Sequence, residues 1–451
     1  MHALVVASTR PEVIKLSPVM RELESRGVDY TFVTTGQHYD EELFWSFIRD
    51  LKLREPEHNI EIGSGSHAYQ TARALEALEE IILKERPNVV IAEGDTNSVL
   101  SCALACAKLH VAFAHVEAGL RSFDRTMPEE VNRVLADHIA EVLFAPTEGA
   151  ALNLIEEGIL PEKIFIVGNT IVDATLQNLE IARKSSRILE ALPDEFLLLT
   201  LHRAENVDSR ERLAGIMEAL FELGEEIVFP LHPRTRKRLK EFGLLERARQ
   251  RLHLIPPAGY LDFLMLLSRA RLVLTDSGGV QEEAIVLNTP CVTLRTSTER
   301  PETVEAGGNV LAGVEKADIL RTVERILSDE SVYSAMKSAK NPFGEGDSGR
   351  KIVDTLIKLE EEGRLKITPP SKVLRRKRRE FITVDASLAG KRISELSFRV
   401  VRVIRSGRAR FPFPELRLRE GDVVEVVVRE FDRCSEPFRE LPQDRSTPPA
   451  L

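Results

Sequence analysis

Apolar runs alternate with longer amphipathic stretches over most of the chain, and the runs have the length of buried β-strands. The strand candidates form two series: residues 2–7, 29–34, 88–93, 111–116, 142–145 and 164–167, then 196–201, 226–231, 252–255, 271–275 and 291–295. Helical patterns of about ten to eighteen residues separate the strands, as in parallel sheets covered by helices on both faces. The pattern therefore predicts an α/β fold with two doubly wound parallel-sheet domains.

The connection between these two domains is predicted at residues 168–195, which begin Gly-Asn-Thr and continue as a helical pattern. We place the first Rossmann-like domain at residues 1–170 and the second at 171–362, and we expect the last helix to pack back on the first domain. Ligands of such sheets bind at the carboxyl ends of the strands. Two facing domains therefore predict one site in the cleft between them.

The pattern changes towards the C-terminus, where residues 363–372 (Gly-Arg-Leu-Lys-Ile-Thr-Pro-Pro-Ser-Lys) have the composition of a linker. Short alternating strands are predicted beyond it, at 381–384, 400–404 and 423–428. One short helix fits between them at 390–396. We predict a small α+β domain at 372–430, followed by a tail at 431–451.

The charge of the chain is unevenly distributed and supports a separate C-terminal module. Residues 372–430 contain 16 Lys or Arg against 8 Asp or Glu, a net charge of +8. The formal net charge of the whole chain is −9, so the remaining residues carry −17. Such a break is typical of an appended domain.

Composition and cysteine usage favour a cytoplasmic protein. The sequence is 43% hydrophobic and 29% charged, as in soluble globular proteins. No apolar run approaches the roughly 20 residues of a membrane helix, and the N-terminus lacks the pattern of a secretory signal. Four scattered cysteines, Cys102, Cys106, Cys291 and Cys434, do not form a disulfide framework.

Basic residues follow the first predicted strand, in residues 8–12 (Ser-Thr-Arg-Pro-Glu) and at Lys15 one turn further on. Free backbone N–H groups at the start of the following helix favour anions, and Arg10 and Lys15 add positive charge. An ordinary turn with exposed basic side chains explains these residues equally well.

Three carboxylates come from separate loops that end on the same predicted edge of the first sheet. They are Asp95 in residues 93–97, Glu117 in residues 115–123 and Glu129 in residues 128–133. Each alone has a simpler explanation as a helix cap or a contact with a helix dipole. Together they point to proton transfer, because like charges held close to one another cost stability.

The strand ends of the second domain carry candidates for phosphate binding. His202 follows the strand at 196–201 and precedes an arginine, which favours a phosphate contact or a general acid over the commoner structural histidine. Residues 275–283 (Thr-Asp-Ser-Gly-Gly-Val-Gln-Glu-Glu) predict a strand, a glycine turn and a helix start that can bind a diphosphate. Glu283, one turn inside, can accept ribose hydroxyls. The alternative is a strand–helix turn without a ligand.

Several cofactor classes find no support in the sequence. No Gly-x-Gly-x-x-Gly follows the first strand, no Gly-x-x-x-x-Gly-Lys-Ser/Thr occurs, and no metal-ligand cluster stands out. We therefore expect neither a nicotinamide cofactor, a P-loop nor a metal ion.

These motifs, in this order, resemble the non-hydrolysing UDP-N-acetylglucosamine 2-epimerases from residue 1 to about residue 360. The matching segments are 9–12, 36–38 (Gly-Gln-His), 94–96, 115–121, 128–133, 168–170, 202–206, 231–233 (Leu-His-Pro), 276–283 and 298–302 (Thr-Glu-Arg-Pro-Glu). The family fold is the two-domain GT-B arrangement. Three features depart from the family pattern. Ser8 replaces the usual Gly, and Ala258 stands where some members carry Gln. The loop between Arg121 and Pro128 is shorter than in many bacterial members.

The resemblance implies a role for each matched residue. The acid–base carboxylates would be Asp95, Glu117 and Glu129, and His202 would serve the diphosphate leaving group. Phosphate or sugar would contact Arg10 and Lys15. The UDP would be held by Ser277, Gly278, Gly279, Glu283 and Arg300, with Phe263 near the uracil. The implied reaction converts UDP-N-acetylglucosamine reversibly to UDP-N-acetylmannosamine through 2-acetamidoglucal, without a redox cofactor.

The C-terminal domain resembles the ligand-binding domain of potassium-transport regulators, the RCK or TrkA-C type. The resemblance rests on residues 388–396 (Leu-Ala-Gly-Lys-Arg-Ile-Ser-Glu-Leu), 403–407, Pro412 and 421–422. It implies a homodimer and a small anionic effector; a dimerisation module without a ligand is the alternative. Nucleic-acid binding by residues 375–379 (Arg-Arg-Lys-Arg-Arg) is disfavoured because aromatic residues are sparse there.

Three other functions compete with the epimerase. A glycosyltransferase of the same fold needs one base and an acceptor site, whereas this chain offers three carboxylates. A hydrolysing epimerase would release free N-acetylmannosamine and UDP. A UDP-sugar sensor without catalysis is the third alternative, and the C-terminal domain keeps it open.

Overall fold

The computed structural model describes residues 1–36, 41–365, 367 and 377–429. Residues 37 and 38 of the Gly-Gln-His motif, most of the linker at 363–372, the first two residues of the basic run at 375–379, and the tail at 431–451 lie outside them.

The first domain is built on a sheet of seven parallel strands. The strands are β1 (His2–Ala7), β2 (Asp29–Thr34), β3 (His58–Asn59), β4 (Val89–Glu93), β5 (Ala112–Val116), β6 (Val142–Ala145) and β7 (Ile164–Ile166). The helices are α1 (Arg10–Ser25), α2 (Glu41–Asp50), α3 (His67–Glu85), α4 (Asn97–Leu109), α5 (Pro128–Ile139), α6 (Glu148–Glu156) and α7 (Thr170–Ser185). The strand order is β3-β2-β1-β4-β5-β6-β7, so the order reverses between β1 and β4.

The second domain repeats this architecture with six parallel strands. They are β8 (Leu197–Thr200), β9 (Ile227–Pro230), β10 (His253–Ile255), β11 (Leu272–Thr275), β12 (Cys291–Thr293) and β13 (Asn309–Leu311). The helices are α8 (Ala204–Val207), α9 (Arg210–Glu222), α10 (Pro233–Glu241), α11 (Leu245–Arg251), α12 (Tyr260–Arg269), α13 (Gly278–Val286), α14 (Pro301–Glu305), α15 (Lys316–Ser328), α16 (Glu330–Lys337) and α17 (Ser348–Glu361). The order β10-β9-β8-β11-β12-β13 reverses between β8 and β11. Open α/β sheets bind ligands at such reversals, which points to the ends of β1, β4, β8 and β11.

The predicted parallel strands are all present, with ends that differ by at most two residues. The sequence missed β3 and β13 because a strand of two or three residues leaves no detectable periodicity. Helix α17 packs against α1, and its apolar side chains Ile352, Val353 and Leu356 are buried in the core of the first domain. None of the described helices is both long enough and apolar enough to cross a membrane.

A four-stranded antiparallel sheet follows, in the order β14-β17-β15-β16. Its strands are β14 (Lys377–Thr383), β15 (Arg399–Arg405), β16 (Arg408–Arg410) and β17 (Val423–Arg429). The predicted helix at 390–396 is wrong, because only a 3₁₀ turn forms at Ile393–Glu395. Backbone bonds from this segment to Pro414 and Leu416 hold it against the following loop instead.

The small sheet docks on the first domain beside α6. Val401 and Phe411 are buried in the same core as Leu154 and Ile155 of α6. Basic side chains of the sheet meet acidic ones of the first domain in three ion pairs: Arg399–Glu162 at 2.5 Å, Arg402–Glu156 at 3.2 Å and Arg410–Glu148 at 3.3 Å. Part of the positive charge noted in the sequence is therefore neutralised within the chain.

Candidate active site

The turn after β1 is closed by a capping box, in which Glu12 accepts hydrogen bonds from the start of its own helix. Its carboxylate accepts the backbone N–H groups of Ser8 and Thr9, the latter at 3.0 Å, and the Ser8 hydroxyl at 2.7 Å. These two amides are therefore not available to an anion, and any anion at this turn would contact the later N–H groups of the helix start. Arg10 is exposed at this turn, with its guanidinium 5.6 Å from the centre of the Phe47 ring.

Lys15 belongs to a buried network of charges rather than to the open turn. Its ammonium group donates to Glu117 and lies 3.0 Å from an oxygen of Glu93, the last residue of β4. The amide of Asn169 lies 3.4 Å from both Glu117 and Glu282. Through Asn169, the network continues from the first domain to α13 of the second.

Arg300 closes this network on the side of the second domain. Its Nε donates to Glu282 at 2.6 Å, and Glu282 is 1% exposed. Two cations, Lys15 and Arg300, thus face three carboxyl groups, those of Glu93, Glu117 and Glu282. A buried charge without a counter-charge is costly, so one carboxyl group of the three is expected to carry a proton.

The surroundings shift the pKa values of the three carboxyl groups in different directions. Although burial opposes ionisation, Lys15 and Arg300 lower the pKa of Glu117 to about 2. Burial and the adjacent Glu117 raise the pKa of Glu93 well above its usual range, which Lys15 offsets only in part. Burial also opposes the charge of Lys15, yet Glu117 and Glu93 raise its pKa. Burial raises the pKa of Glu282 as well, which Arg300 offsets only in part. The network therefore holds an ionised Glu117 beside Lys15, next to a Glu93 whose raised pKa favours the protonated form.

The other two predicted carboxylates line a neighbouring cavity of about 250 Å³. Asp95 and Glu129 face it together with the start of α1 and the first turn of α4. Asp95 pairs with Arg133, and its backbone carbonyl accepts the Asn132 amide at 2.9 Å. The structure thus brings Asp95 and Glu129 together and places Glu117 in the lysine network.

At the opposite edge of the cleft, a buried carboxylate orients the loop that carries His202. Asp276, fully buried after β11, accepts the backbone N–H groups of His202 at 3.1 Å and Arg203 at 2.9 Å. The imidazole Nδ1 of His202 lies 3.5 Å from the same carboxylate, while its ring is 41% exposed. The His232 ring lies 5.8 Å away, centre to centre. Asp276 therefore fixes the backbone of the loop and leaves the imidazole open to the cleft.

The larger cavity, about 350 Å³, lies between the two domains. Its lining includes Lys15, His202, Phe263, Ser277, Gly279 and Glu283. Helix α13 starts here, with Ser277 as its N-cap, and the first N–H groups of a helix have no acceptor within that helix. Gly279 has no atom within 4 Å of where a Cβ would stand. This geometry gives a phosphate group access to the helix start.

Glu283 is buried and lines this cavity, and none of the ion pairs of the described residues includes it. Burial raises the pKa of its carboxyl group to about 8, and a contact with the Tyr260 hydroxyl offsets this only in part. A protonated Glu283 at neutral pH can donate as well as accept a hydrogen bond. It suits a neutral hydroxyl partner better than a phosphate.

The structure also identifies residues to which the sequence gave no role. Glu93, Asn169, Asp276 and Glu282 are all buried, and each contacts a predicted site residue. All four lie inside segments selected from the sequence, and the available signal was their position at a strand end or helix start. Within the described residues, no group of three His, Cys, Asp or Glu side chains could hold a metal ion.

The fold and the cleft are those of a two-domain nucleotide-sugar enzyme, and the chain belongs to the UDP-N-acetylglucosamine 2-epimerase family, whose profile matches residues 21–357. It is 52% identical over 367 residues to the UDP-N-acetylglucosamine 2-epimerase of Methanocaldococcus jannaschii, covering 79% of this chain and 99% of the relative. It is 41% identical over 365 residues to the UDP-2,3-diacetamido-2,3-dideoxy-D-glucuronate 2-epimerase of Pseudomonas aeruginosa, covering 80% and 100%.

Solved structures of the family share the architecture of both parallel-sheet domains. The Methanocaldococcus jannaschii UDP-GlcNAc 2-epimerase in complex with UDP-GlcNAc and UDP is 51% identical to this chain, with a TM-score of 0.70. The match covers 79% of this chain and all of that structure. The enzyme from Neisseria meningitidis bound to UDP-GlcNAc has a TM-score of 0.72 at 32% identity, with the same coverage. These relatives are matched over almost their whole length, whereas a fifth of this chain is left unmatched.

Proposed function

We propose that the protein is a non-hydrolysing UDP-N-acetylglucosamine 2-epimerase that interconverts UDP-N-acetylglucosamine and UDP-N-acetylmannosamine. The observation that carries the proposal is the cleft itself, which opposes the Lys15–Glu117 pair to the start of α13 and to His202. Membership of the epimerase family, with relatives near 50% identity that bear this name, supports it.

The reaction begins at the bond between C1 of the sugar and the diphosphate. The C2 proton is not acidic by itself, since no carbonyl is adjacent to C2. The C1–O bond breaks and UDP leaves with the electron pair, so positive charge develops at C1. A carboxylate then takes the C2 proton, and the C–H electrons form the C1–C2 double bond of 2-acetamidoglucal. Return of a proton to the opposite face of C2 and re-addition of UDP to C1 give the epimer.

Asp95, Glu117 and Glu129 supply the proton-transfer groups in this proposal. Two faces of C2 need at least two placed groups, because a base on one side cannot reach the other. Glu117, kept ionised by Lys15, is ready to accept a proton. The cavity that Asp95 and Glu129 share gives the second position.

UDP binding is proposed for the edge formed by the second domain. The diphosphate would contact His202, Ser277, Gly278 and Gly279, and the ribose would contact Glu283. Phe263 lies in the same cavity and offers an apolar surface to the uracil. Arg10, Lys15 and Arg300 would add positive charge around the phosphates and the sugar. A closed cleft keeps the glucal and UDP together until they recombine.

The deciding experiment follows UDP-N-acetylglucosamine by NMR in heavy water without added NAD. We expect both epimers to appear and deuterium to enter at C2 of each. Epimerisation with the C2 proton retained would rule out the elimination. Free N-acetylmannosamine would indicate a hydrolysing epimerase, and no turnover in the absence of an acceptor would favour a transferase or a sensor.

A parallel sample with UDP-2,3-diacetamido-2,3-dideoxyglucuronate tests the substrate. One relative at 41% identity carries the name of that activity. A higher kcat/KM with this sugar than with UDP-N-acetylglucosamine would identify it as the preferred substrate. The reaction would still be an epimerisation at C2.

We propose that the C-terminal sheet is an RCK-like module that supports a homodimer and binds a small anionic effector. The sequence resemblance at 388–396 supports this proposal. Light scattering of the full chain and of a chain ending near Thr368, together with calorimetry on a panel of nucleotides, tests both parts. If the full chain and the shortened chain have the same number of subunits, the sheet does not support the dimer. If no nucleotide binds to the full chain, the proposed effector site is contradicted.

A further inference from the structure

A second buried cluster of charges lies behind the active-site loops, outside the groups assigned to the reaction. It contains His115 of β5, Asp137 of α5, Arg121 and Glu157. The His115 Nδ1 lies 2.6 Å from Asp137 Oδ1, and Arg121 lies 2.7 Å from Asp137 Oδ2. His115 and Asp137 are 0% and 1% exposed, so solvent does not screen the centre of the cluster, whereas Glu157 at its edge is 27% exposed.

The hydrogen bonds of the cluster determine its protonation. The second ring nitrogen of His115, Nε2, lies 2.8 Å from the carbonyl oxygen of Gly94, which can only accept. This nitrogen must therefore carry a hydrogen. The Asp137 carboxylate also accepts the Gly119 N–H at 3.1 Å and faces Arg121, so it is ionised and accepts from Nδ1 as well. His115 is a buried imidazolium, and the four groups together are neutral.

The pKa shifts of His115 and Asp137 both favour the charged form of the side chain. Burial opposes the charge on His115, but Asp137 raises the pKa of the imidazole. Burial likewise opposes ionisation of Asp137, and His115 and Arg121 lower its pKa.

This cluster holds two loops at once, and both carry predicted catalytic carboxylates. Gly94, the acceptor for His115, directly precedes Asp95. Gly119, the donor to Asp137, follows Glu117 by two residues. Glu117 has a φ of +67°, a left-handed conformation that is rare for a side chain of this size. Strained residues of this kind persist only where their surroundings fix them.

Helix α6 supports the Glu117 loop from the opposite side. Asn153 donates to the Gly119 carbonyl at 2.9 Å, and Glu157 accepts two hydrogen bonds from Arg121, at 2.7 and 2.6 Å. A Cβ on Gly119 would stand 2.2 Å from the Ala150 carbonyl oxygen. The loop is therefore packed between α5 and α6 without room for adjustment.

We infer that His115, Asp137 and Arg121 are positioning residues that set the distance between the Asp95 and Glu117 loops. The inference rests on the proposed function, because it assumes that these carboxylates act on the sugar. His115 provides the link, since its two nitrogens bind the backbone before Asp95 and the carboxylate that holds the loop after Glu117. None of the three residues needs to touch the substrate.

Two substitutions of His115 separate its two bonds. The amide nitrogen of His115→Gln reaches the position of Nε2 and keeps a donor for Gly94, whereas His115→Asn reaches the position of Nδ1 and keeps only the partner of Asp137. His115→Leu keeps neither. A misplacement of about 1 Å costs on the order of 100-fold in rate, so we expect kcat to fall about 10- to 100-fold in His115→Leu. The Asn and Gln variants should fall between the wild type and Leu, while KM changes less than about threefold, since uniform binding is untouched.

A structural readout makes the test independent of activity. Hydrogen exchange at the Gly119 amide should accelerate in Asp137→Asn and in His115→Leu, because its acceptor is weakened or displaced. The matched control is Glu141→Gln, which removes a half-buried carboxylate that accepts the Phe113 N–H at 3.3 Å, at the end of β5 far from the loops. It should lower thermal stability and leave both kcat and Gly119 exchange unchanged.

The outcomes distinguish the inference from the proposed function. If the wild type has no epimerase activity, the proposed function fails, and Gly119 exchange still tests the cluster. If His115→Leu keeps wild-type kcat at a temperature where it is folded, the positioning role is wrong. A KM effect with kcat preserved, or equal losses in Glu141→Gln, would also overturn it.

Discussion

The two edges of the cleft differ in the charge and burial of the groups that line them. On the first domain, charged side chains are buried and paired with one another, as in the contacts of Lys15 with Glu93 and Glu117. On the second, the cavity is lined by a helix start, a half-exposed histidine and the buried carboxyl group of Glu283, whose pKa is raised. In the proposed function, the first edge carries the proton-transfer groups, and the second receives the phosphate and hydroxyl groups of UDP. We therefore expect mutations to separate proton transfer from nucleotide binding.

The largest expected effect is the loss of turnover without loss of UDP binding. Asp95→Asn, Glu117→Gln and Glu129→Gln should each lower kcat by about 100-fold or more, the scale of a lost acid–base group. UDP affinity measured by calorimetry should stay within about threefold, since none of the three residues is assigned to UDP.

Glu93→Gln is the matched control for Glu117→Gln, because both side chains contact Lys15. The raised pKa of Glu93 favours its neutral form in the folded protein, so replacing its carboxyl group by an amide should cost far less turnover. Equal losses in the two variants would mean that the protonation assigned to this network is wrong. Near-normal turnover in any of the three carboxylate variants would remove that residue from the catalytic set.

A smaller effect is expected on the opposite edge, where the affinity for UDP should fall. Arg300→Ala should weaken UDP binding by about tenfold or more, the scale of one lost hydrogen bond to a charged group. Glu283→Ala should weaken it by about two- to tenfold, the scale of a hydrogen bond between neutral groups. Arg295→Ala is the control, because Arg295 lies on the same loop and pairs with Glu205 and Glu299. Unchanged binding in Glu283→Ala would separate this residue from the nucleotide.

The pH dependence of stability should reveal the protonated state of Glu283. Its pKa rises from 4.5 to about 8 on folding, so the folded protein binds the extra proton between these values. The stabilisation is complete below pH 4.5 and is lost as the pH rises towards 8. Thermal melts should therefore show the wild type losing stability relative to Glu283→Gln from pH 5 to pH 8. A constant difference would mean that Glu283 is ionised in the folded protein.

The smallest effect should follow from cutting away the C-terminal sheet. A chain ending near Thr368 is expected to fold and to retain the epimerase chemistry, because every residue assigned to it precedes residue 303. In the full chain, Arg399→Ala should lower the free energy of unfolding by less than about 1 kcal/mol, and added salt should reduce the difference. A truncated protein that folds without activity would show that the sheet completes the active site.

The sequence was sufficient to predict the longer strands of both parallel sheets and the loops that form the cleft. Long apolar strands and the residues at their carboxyl ends are local features, and local periodicity reports them directly. The role of Glu12 is also encoded locally, because a Thr three positions before a Glu, as in residues 9–12, is the pattern of a capping box.

The pairing of charges was not visible in the sequence. Lys15 and Glu117 are 102 positions apart, and Asn169 and Glu282 are 113 apart, so their contacts exist only after both domains have folded. The protonation of Glu93 depends on the same contacts. The helix expected at 390–396 failed for a related reason, since bonds to the distant loop at Pro414 and Leu416 replaced the helical ones.

The docking of the small sheet beside α6 has a consequence for the order of synthesis. Phe411 leaves the ribosome 255 residues after Glu156, the last residue of α6. At about 5–20 residues per second, this interval is roughly 13 to 51 s. For most of that time the strands β1–β7 are complete, whereas α17 and the small sheet, which both pack on the first domain, have still to be synthesised. The first domain must therefore stay folded during synthesis without these contacts. The last strands then fold against the surface of a domain that is already formed.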